Sequence, residues 1–141
     1  MNFDNIGQYM ALNKEELADL ARDLFNKISR GLSNTENNSD FGLSFALGVV
    51  ANAIAADGKL GDDEWALFMY IFQGEFERED VVAVLKAYNS RDVIYAIKEL
   101  SKQYEGLNED VFNLVYAISA IDGNISGEEN RLLKYLMEED K

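Results

Sequence analysis

Residues 46–72, ALGVVANAIAADGKLGDDEWALFMYIF, and residues 111–137, VFNLVYAISAIDGNISGEENRLLKYLM, are two versions of one pattern, offset by 65 positions. The alignment pairs Val50 with Val115, Ala55 with Ala120, Asp57 with Asp122, Gly58 with Gly123, Glu64 with Glu129, Leu67 with Leu132 and Tyr70 with Tyr135. Each copy reads as an apolar helix, an Asp-Gly turn and a second helix. Such a hairpin cannot cover its apolar faces alone, so the two copies are expected to pack on each other.

Working outward, the chain has no proline and its glycines fall at segment ends, so the periodic segments read as helices with few breaks. Leu17, Leu20, Ala21, Leu24, Phe25 and Ile28 form one apolar stripe of an outer helix from Lys14 to Arg30. Asn13 and Glu16 suit its capping box and Gly31 its stop. The small polar stretch Gly31 to Asp40, GLSNTENNSD, reads as a mobile loop. Further helices are expected at Phe41 to Ala56, Asp62 to Gln73, Glu79 to Tyr88, Arg91 to Glu105, Glu109 to Ile121 and Gly127 to about Glu139. Those at Phe41 to Ala56 and Glu109 to Ile121 are apolar nearly all round and should form the centre. The expectation is an all-α, single-domain bundle of about seven helices. Residues 1–40 supply an amphipathic helix and polar loop packed on the repeat-bearing residues 41–141.

An apolar helix ending in A-x-D-G, then a small or polar residue, then a helix opening with acidic residues, all given twice, resembles the tellurite-resistance TerB family. The family extends to the N-terminal domain of a membrane-anchored DnaJ-like protein. The resemblance covers about Phe41 to Met137. It implies an all-helical fold, a role in a bacterial stress response and an acidic metal site. That site would be carried by Asp57, Asp62, Asp63 and Glu64 in the first copy, and by Asp122, Glu128 and Glu129 in the second.

Without the family, the pattern D-G-x-[LI]-x-x-x-E at Asp57 to Glu64 and Asp122 to Glu129 matches the second half of an EF-hand loop. Ala53 and Ala55, then Ile118 and Ala120, stand where the first two acidic ligands of such a loop would be. One loop offers an aspartate, the carbonyl of Lys59 or Asn124 and a glutamate, about four oxygens where calcium takes 6–8. A turn reading competes. Glycine after a helix relieves a left-handed position, Ser126 with Glu129 makes a capping box, and Gly61 with Glu64 makes a weaker one. That leaves Asp57 and Asp122 at the negative ends of helix dipoles, a cost of about 0.3–1 kcal/mol each that a turn hydrogen bond or a cation would offset.

Composition narrows the function classes. Histidine and cysteine are absent, which removes the usual zinc sites, thiol chemistry and histidine-based nucleophilic catalysis. Oxygen ligands remain, and they suit calcium, magnesium or manganese. A net charge of −13 spread along the chain disfavours nucleic acid and favours cations or a basic protein partner. The N-terminus lacks the features of a secretory signal and no apolar run reaches the length of a membrane span, so a cytoplasmic location is expected. Trp65, Phe68, Met69 and Phe72 read as a core stripe, Glu75 to Asp80 as a solvated helix start, and Tyr88, Tyr95 and Tyr104 as core-edge residues. The chain is therefore expected to bind rather than catalyse, without an organic cofactor. It takes a hard divalent cation such as Ca2+ or Mg2+ through its Asp-Gly loops, or else it acts as a metal-independent interaction module with an acidic face.

Overall fold

The computed structural model describes residues 13–36, 39–55 and 60–122, and among them the chain forms six helices and no strand. These are α1 (Lys14–Glu36), α2 (Ser39–Ile54), α3 (Asp62–Phe72), α4 (Arg78–Ala87), α5 (Ser90–Leu100) and α6 (Leu107–Asp122). The expected helix from Gly127 lies outside the described residues. None of the described helices is long and apolar enough to cross a membrane.

The centre falls where the apolar patterning places it. Phe45 to Ala53 of α2 and Val111 to Ser119 of α6 are each buried without a break. α2 packs against each of the other five described helices, and α6 against α1, α2 and α5. The apolar stripe of α1 turns inward as its spacing requires, and Leu17, Ala21, Leu24, Phe25 and Ile28 are all buried against α2 and α6. Each of the larger side chains, the leucines, Phe25 and Ile28, contributes about 1.5–3 kcal/mol relative to exposure. The start of α1 is closed by the expected box: the Glu16 N–H donates to Asn13 Oδ1 at 2.8 Å, and the Asn13 N–H to Glu16 Oε1 at 3.2 Å.

α3 is held to α1 by rings. Phe72 lies 5.1 Å from Phe25 and 4.9 Å from Phe68, Phe76 packs edge-on against Phe25, Phe68 and Phe72, and Trp65 stacks on Phe68 at 5.5 Å. Arg22 Nη1 adds a 2.6 Å hydrogen bond to the Ile71 carbonyl, one of the acceptors that a helix C-terminus leaves unpaired. Met69, expected in this stripe, faces outward with 40% of its surface exposed, and Phe76 from the following turn takes part in its stead.

Two expected boundaries differ from the structure, for a shared reason. Gly31 does not stop α1: the helix continues to Glu36, and the stretch read as a loop is helical through residue 36 and again from Ser39. α5 ends at Leu100 rather than Glu105, and residues 101–106 turn, with Gly106 at φ +86°. The turn brings the Tyr104 ring onto Gly31, where a Cβ would collide with it. Glycine is needed here for close approach, not as a helix stop. Tyr104 Oη also donates to Asp110 Oδ2 at 3.2 Å, and Lys27 Nζ donates to Asp110 Oδ1 at 3.0 Å, so one carboxylate ties α1, the turn and α6 together. The Asp110 partnership holds the Lys27 ammonium above its ordinary 10.5, and burial raises the Tyr104 hydroxyl above 10.0. Both shifts favour the protonated form in the fold, so this contribution is complete at neutral pH and is lost only as the pH rises through the alkaline range.

Gly31→Ala separates the two roles of that glycine. As an exposed helix position it would gain about 1 kcal/mol from propensity; against Tyr104 the extra methyl forces the ring and its bond to Asp110 to shift. Urea denaturation of G31A should show a net loss of about 1–2 kcal/mol. In a Tyr104→Ala background the same change should become neutral or stabilising.

Candidate functional site

The described part of the first Asp-Gly loop begins at Leu60 and enters α3. Gly61 is the N-cap, in extended backbone at φ −78° and ψ 179°, and Asp62, Asp63 and Glu64 fill the first turn, where carboxylates favour the positive end of the helix. Glu64 folds back over Gly61, so that a Cβ there would meet its Oε2 at 2.9 Å. Of the sequence candidates in this copy, Asp62 and Asp63 are exposed, Glu64 is half-buried, and Asp57 lies outside the described residues.

What sequence reasoning missed is the cation already beside this loop. Arg78, the first residue of α4, donates from Nη1 to Asp62 Oδ1 at 3.1 Å and from Nη2 to the Leu60 carbonyl at 3.0 Å. One guanidinium thus joins a carboxylate and a backbone oxygen of the loop exit, two of the oxygen types a hard metal would use. Asp62 is 96% exposed in its side chain, so the ion pair itself is weak, whereas the bond to the carbonyl fixes the direction in which the chain leaves the loop. The signal was there to read: Arg78 is the sole base between Lys59 and Lys86, set in the acidic run Glu75 to Asp80.

Among the described residues, no group of three or more carboxylates is gathered so as to hold a metal ion. Asp62, Asp63 and Glu64 follow one another around a helix turn and diverge. In the second copy, α6 runs to Asp122 as its last residue, and its last turn contains no basic residue. The Asp122 side chain, Glu128 and Glu129 lie outside the described residues.

A second feature lies on another side of α2. Phe45, Gly48, Tyr88, Asp92, Val93 and Ala96 line an apolar groove of about 60 Å³ between α2 and α5. Asn52, buried in α2, braces it by donating to the carbonyls of Gly48 at 2.8 Å and Tyr88 at 2.9 Å. Asp92 at its edge accepts from the Asn89 N–H and completes the capping box of α5. The groove is several times smaller than the ~300–1,000 Å³ typical of small-molecule sites.

Comparison with protein-family models, with curated proteins and with solved structures finds no match to this chain.

Replacing Arg78 by Gln should cost no more than about 1 kcal/mol in thermal unfolding, the range of a largely exposed pair. In a double-mutant cycle with Asp62→Asn the coupling should be a few tenths of a kcal/mol. A coupling of several kcal/mol would mean that the loop depends on the ion pair rather than on the bond to Leu60.

Proposed function

We propose that this chain is an acidic, TerB-like binding protein of a bacterial stress response, in which the first Asp-Gly loop is a structural turn and the second carries affinity for a hard divalent cation. The supporting observation is at the exit of the first loop, where an internal guanidinium already bridges Asp62 and the Leu60 carbonyl. The helices entering the two loops, α2 and α6, both lack a base in their last turn, and α6 runs to Asp122, where a carboxylate meets the negative end of the dipole.

In this reading Asp122, the Asn124 carbonyl and Glu129 provide the oxygens, with Glu128 nearby in sequence and Ser126 available to orient a water. About four protein oxygens imply weak binding, of the order of 10⁻⁴–10⁻³ M for calcium. Lys59 in the first loop brings a competing ammonium, whereas Asn124 leaves the second turn uncharged. The cation would neutralise the turn and prepare the surface for a partner.

A second reading has its own support. Residues 60–85 carry seven carboxylates against Arg78 alone, and Asp62 and Asp63 are open to solvent, so the α3–α4 segment suits a basic protein partner without any metal.

Thermal melting after chelator treatment separates the two. At calcium near ten times the dissociation constant, ligand linkage adds about 1.4 kcal/mol, or roughly 4 °C. Asp122→Asn should abolish that rise with little change in the metal-free protein, and Asp57→Asn should retain it. If millimolar calcium, magnesium and manganese all leave the wild-type melting temperature unchanged, the cation reading fails and the acidic-surface reading stands.

A further inference from the structure

The groove between α2 and α5 is too small for a typical small molecule and has room for one side chain. Its 60 Å³ holds about four to six waters at 10–15 Å³ each. The groove is preformed, since Asn52 ties together the carbonyls of two residues that line it, Gly48 and Tyr88.

Gly48 keeps the floor open. Glycine inside a helix is less stable than alanine and is retained where the backbone or a close neighbour requires it. Neither requirement holds here, because Gly48 lies within α2 and is not among the positive-φ glycines. A Cβ built on it would meet Val84 and Val93 at 3.8 Å and Tyr88 at 3.9 Å, ordinary contact distances, in contrast to the collision with Tyr104 at Gly31. The missing methyl leaves space beside Val93 and Tyr88, and both of those residues line the groove.

The charge at this groove is negative. Asp92 is its one charged lining residue, it is exposed to solvent, and its cap on the Asn89 N–H uses Oδ2, so Oδ1 stays available. Glu99 lies two helical turns on along the same row of α5, past Ala96 of the groove wall, and its exposed pair with Lys102 is long, at 3.5 Å. Arg91 and Lys98 occupy another row, turned away from the core-facing Val93, Ile97 and Leu100.

We propose that this groove seats a lysine side chain of a basic protein partner, with the aliphatic stem over Gly48 and the ammonium at Asp92. Lysine suits it better than arginine. An unbranched four-carbon stem matches the small apolar volume, and one carboxylate oxygen satisfies a point-like ammonium, whereas a guanidinium fork calls for two. Tyr88, 46% exposed at the groove, adds an aromatic wall for the stem. The proposal goes beyond the cation reading and gives a basic partner a surface apart from the α3–α4 segment.

Nuclear magnetic resonance of the full chain in chelator, titrated with the capped peptide acetyl-Gly-Ala-Lys-Ala-Gly-amide, tests it. The amides of Gly48, Val93 and Ala96 should shift with millimolar affinity. A peptide with norleucine in place of lysine should bind roughly tenfold more weakly, and one with arginine more weakly than lysine. Asp92→Asn, which keeps an oxygen for the Asn89 cap, should reduce the lysine peptide to the norleucine level. Gly48→Ala should abolish the shifts while melting at or above the wild-type temperature. Groove amides that stay still overturn the proposal: if those of Asp62 and Asp63 move instead, the basic-partner reading survives without it, and if neither set moves, both fail. A D92N or G48A protein that binds as the wild type does, or a G48A protein that melts well below it, also overturns the proposal.

Discussion

α2 has almost no face left for water, and the arrangement of the other helices follows from that constraint. Its interior positions are small or branched, Ala46, Val49, Val50, Ala51 and Ala53, so neighbours approach closely and all five other described helices touch it. The one strongly polar side chain along this stretch, Asn52, is tolerated because two backbone carbonyls accept its amide hydrogens, those of Gly48 and Tyr88. An unpaired amide in the same place would cost about 1–3 kcal/mol. Burial thus fixes α2, and the Asn52 bond to Tyr88 fixes where α4 gives way to α5.

Once the helix bodies are committed to the core, chemistry is left to their ends. There the fold satisfies unpaired backbone groups with charged or amide side chains: Arg22 on the last turn of α3, Arg78 on Leu60 just ahead of its N-cap Gly61, and the Asn13–Glu16 and Asn89–Asp92 boxes at two starts. Arg78 makes the first loop exit a closed unit, which is why the duplicated motif need not mean duplicated function. The two copies agree in sequence at the Asp-Gly pair and differ in the residue after it, Lys59 in the first and Asn124 in the second.

The legible parts of the fold were those governed by side-chain periodicity. Two helices apolar all round, an amphipathic α1 and an Asn13–Glu16 box follow from spacing alone, and the structure has them. Gly31 was misread because glycine has two uses, ending a helix and admitting a close neighbour, and the neighbour, Tyr104, lies 73 positions away in sequence. The same long-range packing pulls residues 101–106 out of the α5 helix. At the candidate site, acidic residues were visible as composition, but whether Asp62, Asp63 and Glu64 converge is a matter of three dimensions, and successive residues on a helix turn point apart. Arg78 escaped notice because its partners, Asp62 and Leu60, belong to the preceding helix and loop.

The central claim is that α1 is as much part of the core as the repeated helices it covers, joined to them by burial of its stripe and by the Lys27–Asp110–Tyr104 tie. Native-state hydrogen exchange measures this directly, since amides that open only by global unfolding share one free energy. The amides from Leu24 to Ile28 in α1 should exchange with the same free energy as those from Val49 to Ala53 in α2 and Leu114 to Ile118 in α6. If the α1 amides exchange through a separate opening several kcal/mol lower, α1 is an appendage and the account of the core is wrong.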